Sequence, residues 1–213
     1  MFYETANPHG LKHNPFKALI SPRPIGWVSS MDKQGTLNLA PFSFFNAMAD
    51  NPPIVALGIG GSHSEGGPKD TLTNIEQCGE FVCNVVTYEI RDAMNATSEM
   101  VSRSVNEFDL GNLTAIPSSM VKPPRVLESP VNMECIHLQT IDLPSNNPDQ
   151  QSKMVLGQVV GIHINDDIIT DGMVDMGKFH PLARLGYKDY TAVMEVFSLD
   201  RPDQKSQDKQ IAP

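Results

Sequence analysis

The stretch from Gly58 to Thr71, GIGGSHSEGGPKDT, runs from a β-branched segment through glycines to a helix start. Strand, glycine-rich loop and helix start, in that order, can hold a phosphate on free backbone N–H groups, and Lys69 adds a cation. The spacing is not that of a Walker loop. Gly61 and Gly66 fit G-x-x-x-x-G, but Gly67-Pro68 stand where Lys-Ser/Thr is required, which disfavours an NTPase. The same residues also suit a flexible connector ending in an ordinary helix cap.

A second candidate lies between Ser21 and Asn46, SPRPIGWVSSMDKQGTLNLAPFSFFN. Arg23, Trp27, Ser29, Ser30, Asn38, Ser43, Phe44 and Asn46 mix short hydroxyls and amides with aromatic surface. A planar cofactor with polar edges needs that mixture. A hairpin with a core face and polar turn residues would use the same residues. Six histidines are scattered; His9 and His13 flank a Gly and precede Asn-Pro, so no helix presents both to a metal, and no metal site is expected. Cys78, Cys83 and Cys135 form no C-x-x-C and read as reduced, buried thiols.

The elements that must position these residues are mostly strands. Pro24 to Met31 and Thr36 to Ala40 make a hairpin around Asp32–Gly35; residues 54–60 and 81–86 are further strands. Lys69 to Cys78 has helical spacing, with Asp70 or Thr71 expected to cap its start and Gly79 to end it. Tyr88 to Thr97 suits a short helix, and 98–130, with four prolines, suits ordered loop. The strongest β signal is the pair 131–143 and 153–166, a long hairpin. In its second strand Met154, Leu156, Val160, Ile162 and Ile164 share one side, and Val155 and Val159 with Gly157 and Gly161 the other, so both faces should be covered. A second copy is the expected cover, and a homodimer follows.

The chain of 213 residues suits one domain, read as 1–199, followed by a polar tail at 200–213. Its 25 acidic and 16 basic residues give a net charge of −9, which repels nucleic acid. No apolar run suits a membrane span and the N-terminus has no secretory pattern, so a cytoplasmic protein is expected.

Three ordered motifs carry a resemblance. RPIGWVSSMDKQGTLNLAPFSFFN, Lys69-Asp70-Thr71 at a helix start, and FHPLARLGYKDY at 179–190 are similar to those of the flavin reductase-like family, the FMN-binding split barrels. The resemblance covers roughly residues 15–193. It implies a mainly β fold, a six-stranded, Greek-key-like split β-barrel with a few short helices, which dimerises and binds FMN in a groove near the subunit interface. Carried over by position, Ser29, Ser30, Asn38, Leu39, Ala40, Ser43, Phe44 and Asn46 would surround the ring and ribityl chain. Lys69, Asp70 and Thr71 would hold the phosphate, and Arg23 would reach the phosphate or the pyrimidine edge. The chain departs from the pattern at Tyr187, where many relatives carry a second Gly, and at His63.

With FMN bound, the flavin would carry electrons and no side chain need act as a nucleophile. The leading expectation is an oxidoreductase passing electrons from NADH or NADPH to FMN, then to free flavin, a partner protein or ferric iron. No catalytic side chain is assigned; His180 and Arg184 are candidates for the nicotinamide side. Two alternatives stand beside it: a flavoredoxin-like FMN carrier without a nicotinamide site, and a split-barrel module for another planar ligand such as haem or pyridoxal phosphate.

Overall fold

The computed structural model describes residues 1–147 and 150–202. The expected polar tail therefore lies, from residue 203 onward, outside the described residues.

Seven strands form the main sheet: β1 (Gly26–Met31), β2 (Leu37–Phe42), β3 (Phe45–Asp50), β4 (Pro53–Gly60), β5 (Glu80–Val85), β6 (Val131–Leu143) and β7 (Ser152–Ile164). The first hairpin turns where Asp32 accepts the backbone N–H groups of Gln34 and Thr36, both at 2.8 Å. Around the sheet the order is β2-β1-β5-β6-β7-β4-β3, antiparallel at every pairing. β2 and β3 thus occupy opposite edges although only Ser43 and Phe44 separate them in the chain. The sheet has to curl until its edges approach, which is closure into a barrel. Counted as one bent strand, β2 and β3 give the six strands of the expected split barrel. Gly58 on β4 permits the bend: its N–H donates to the Phe44 carbonyl at 2.6 Å, and a Cβ there would stand 2.8 Å from that of Phe44.

Alternation along the strands makes two cores. Val28, Phe42, Leu57, Phe81, Cys135 and Val155 fill the barrel, and helix α1 (Asp70–Cys78) plugs it with Leu72 and Ile75. On the outer face Trp27 and Leu39 pack under α2 (Arg91–Ala96), α3 (Glu107–Leu110) and the segment to Val126, around Met94 and Phe108. The Trp27 indole donates to Thr97 at 2.9 Å. Segment 98–130 is therefore a folded cover, pinned by Glu134. That carboxylate is fully buried on β6 and accepts from the backbone N–H groups of Ser119, Met120 and Val121 and from His163 at 2.5 Å.

Gly79 ends α1 in the left-handed conformation, as expected, but neither Asp70 nor Thr71 caps its start. Lys69 is the cap residue and no side chain serves the free N–H groups. Asp70 is drawn to Arg103 at 2.7 Å, and Thr71 is engaged by Asn38. On β7, Val155, Gly157 and Val159 are buried; the bulge between Val159 and Gly161 then sets Ile162 opposite Met133, on the side of Val159 and not of Met154 as the alternation predicts, and at that end of the strand Ile162 and Ile164 are 55% and 41% exposed. Within one chain that end of the strand is uncovered. No helix among the described residues is long and apolar enough to cross a membrane.

Candidate functional site

The pairing of β1 with β2 sets Ser30 opposite Asn38 and Val28 opposite Ala40 on the barrel side, and Ser29 opposite Leu39 on the other. On the barrel side, Asn38 donates to Thr71 Oγ1 at 2.8 Å and to Ser30 at 3.2 Å, and Asn74 donates to Ser30 at 3.2 Å. These bonds lock the start of α1 to the hairpin. With its oxygen taken by Asn38, the Thr71 hydroxyl has its proton left to donate.

Asn38, Ala40, Ser62, His63, Lys69, Asp70, Thr71 and Glu107 line a cavity of about 110 Å³ at this helix start. Its wall is tied by Arg103, which pairs with Asp70 and donates to the carbonyls of Gly66 at 3.0 Å and Pro68 at 3.2 Å. His63 Nε2 stands 3.5 Å from Asp70, and its Nδ1 accepts from the Glu65 N–H. Asp70 is thus neutralised, whereas Lys69 enters no ion pair among the described residues. A lone ammonium beside uncapped helical N–H groups is a site for an anion. Burial, and next to it the charge of Asp70, pushes the Glu107 carboxyl up, although the Leu39 N–H it accepts opposes this.

The cavity opens past Pro41 and Phe42 into a wider one of about 740 Å³ lined by Lys17, Ser43, Phe44, Gly58 and Gly60. Pro41 and Ser43 also border a third, of about 410 Å³, with Arg23, Arg184, Tyr187 and Tyr190. Pro41 is common to all three, so they form one groove from the start of α1, over the β2–β3 bend, to the closing motif.

The groove gathers Arg23, Asn38, Ala40, Ser43, Phe44, Lys69, Asp70, Thr71 and Arg184. It does not gather Ser29, Ser30 or Leu39, which are fully buried; Ser29 and Leu39 face the outer core and Ser30 acts through Asn38. Their side chains have no surface for a ligand, contrary to the expectation that they surround one. Strand alternation allows only one face of a hairpin to meet a ligand, and the motif spans both. Asn46 lines none of the described cavities; its side chain accepts from the Ala47 N–H. His180 also points elsewhere, with Nδ1 3.2 Å from Glu89. Arg23 is 6% exposed and donates to the carbonyls of Lys17, Ile20 and Leu185 and to Ser43.

Glu107 and Lys17 line the groove and Arg103 ties its wall, and the sequence did not point to any of the three. Arg103 sits in a stretch without period. Only the Asn106–Glu107 pair, an amide cap before a one-turn helix, carries a local signal there.

A curled six-stranded barrel, plugged by a helix whose uncapped start opens on a groove, defines a flavin-binding split barrel. The chain belongs to the flavin reductase like domain family, whose model matches residues 19–183. It is 34% identical over 200 residues to an uncharacterized protein of Halalkalibacterium halodurans, covering 92% of this chain and 95% of that one. Among solved structures, nitrilotriacetate monooxygenase component B from Bacillus cereus superposes with TM-score 0.82 at 30% identity, over 93% of this chain and 100% of the other. The 2-nitrobenzoate 2-nitroreductase NbaA of Pseudomonas fluorescens gives 0.81 at 26%, over 95% and 96%. Solved FMN-binding proteins share the fold at lower identity, which supports FMN as the cofactor. The residues fit that group: an unpaired cation and free helical N–H groups suit a phosphate, and the mixed surface at Pro41–Phe44 suits a ring.

Proposed function

We propose that the protein is an FMN-dependent oxidoreductase that takes electrons from NADH or NADPH and delivers them to a second acceptor, free flavin, a partner protein or ferric iron. The observation that carries this reading is the unpaired Lys69 at the uncapped start of α1, at one end of a groove whose far end holds Arg184. When bound, FMN supplies the redox chemistry; the chain binds it, orients it and excludes water. Lys69 and the Thr71 hydroxyl hold the phosphate. Ser43, Phe44 and Ala40 border the ring, and Arg184 attracts the nicotinamide donor. Anaerobic mixing with NADH and with NADPH should bleach the bound flavin with at least one of them. Flavin that stays oxidised with both overturns the reading.

One observation favours a second reading, a carrier without a nicotinamide site. His180, a candidate for the donor side, faces Glu89 and not the groove. Reduction only through a partner's reduced centre, and by neither nicotinamide, selects it.

The exposed apolar end of β7, Ile162 and Ile164, is the surface on which two copies join. The dimer belongs to the same proposal, as does a cytoplasmic location.

A further inference from the structure

The closing motif returns as strand β8 (Leu182–Arg184), which pairs with the two-residue strand Arg23–Pro24 so that Arg23 and Arg184 are direct cross-strand partners. Like charges so placed repel each other. Burial first, and the Arg184 charge next, pull the Arg23 guanidinium below its ordinary range. Neither arginine enters an ion pair among the described residues, nor does Lys17, which borders the same cavity. None of the residues lining that cavity carries a carboxylate. On a chain with net charge −9, a pocket with three cations and no acid is built to be neutralised from outside.

The two arginines divide the task. Arg23 spends four of its five N–H groups on three carbonyls and the Ser43 hydroxyl, so it contributes chiefly charge. Arg184 gives one nitrogen to the Tyr187 carbonyl and stacks on the Tyr190 ring, 4.3 Å from its centre, which leaves the rest of its fork open. Tyr187 stands at φ +56, a backbone region unfavourable for a large side chain, with its ring 5.5 Å from His13. Ile25 and Met94 supply apolar lining.

We propose that this pocket, once the nicotinamide donor has left it, is the subsite of the second substrate and that it selects a planar aromatic ligand bearing a carboxylate, gripped by Arg184 and neutralised by Arg23 and Lys17. The inference rests on the oxidoreductase reading for the term second substrate, but the pocket can be tested without any turnover.

The full-length chain as isolated is titrated calorimetrically with sodium benzoate, benzamide and inorganic phosphate, before and after Arg184→Gln and Arg184→Lys. Benzoate should bind more tightly than benzamide or phosphate. Arg184→Gln should weaken benzoate by about 10- to 100-fold, the loss of one charge-assisted hydrogen-bonding group, while Arg184→Lys keeps part of the affinity. FMN and riboflavin affinities should not change. Equal binding of benzoate and benzamide overturns the proposal, as does tighter binding of phosphate than of benzoate. So does a selective loss of FMN over riboflavin in Arg184→Gln, which would give these cations to the cofactor's phosphate. A failure of nicotinamide reduction, by contrast, bears only on the function proposed above.

Discussion

Replacing Lys69 by Ala isolates the phosphate end of the groove. Lys69 is half-buried at the cap position of α1, its ammonium enters no ion pair among the described residues, and its side chain runs beside Gly61. The substitution removes one charged donor and no core packing. A hydrogen bond to a charged group contributes about 1.5–3 kcal/mol. At 1.4 kcal/mol per factor of ten, that is about a 10- to 100-fold change in affinity. Solvent screens a half-exposed ammonium, so the lower end of the range, about 10-fold, is expected. Fluorescence titration of the flavin-free chain with FMN and with riboflavin makes the comparison internal, since riboflavin lacks only the phosphate. Lys69→Ala should weaken FMN and leave riboflavin unchanged. Equal losses for the two, or none for FMN, would refute the placement of the phosphate.

Glu134→Ala strands three backbone N–H groups and His163. About 3–5 kcal/mol should be lost, a fall of about 6–20 °C in Tm by calorimetry. In the parent chain burial pushes the Glu134 carboxyl up, but those N–H groups and His163 outweigh it and hold it below the usual carboxylate range. Its contribution is therefore present above the ordinary value near 4.5 and fades as pH falls through the lower folded value, so the Tm gap to Glu134→Gln should narrow on acidification. Glu107 has the opposite sign. Its raised carboxyl contributes stability below the ordinary value, lost as pH rises through the folded one, and its ionisation beside Lys69 opposes a bound phosphate. Glu107→Gln should tighten FMN and flatten the pH dependence of the FMN Kd. Ile162→Lys, on the exposed face of β7, should yield a monomer in sedimentation experiments while Tm changes little.

Much of the barrel is legible in the chain because strands announce themselves locally. The alternation in β1, the Asp32 turn and the long 131–164 hairpin all depend on neighbours within a few residues. The closure through Ser43–Phe44 is not, since it depends on β4 meeting a distant edge. The helix start illustrates the same limit. Asp70 reads as a cap, but Arg103, 33 residues on, takes it, and the uncapped N–H groups are the result. In the site, the motif residues were legible and their facing was not. Ser29 and Leu39 sit one residue away from Ser30 and Asn38 and look into a different core. Arg23 looks like a ligand contact in sequence and serves as a brace among four acceptors, with only its charge reaching the groove. Glu134 and Arg103 stayed hidden because their partners, residues 119–121 and His163 for the one and Asp70 with the Gly66 and Pro68 carbonyls for the other, lie far from them in the chain.

The central claim is that the groove from Lys69 to Arg184 holds FMN and admits a nicotinamide donor. It is tested most directly by purifying the chain, identifying the flavin released on denaturation, and mixing the loaded protein anaerobically with NADH and NADPH. A yellow protein that releases FMN in equimolar amount and bleaches with at least one nicotinamide is expected. A colourless chain that ignores added FMN, or bound FMN that neither nicotinamide reduces, would contradict it.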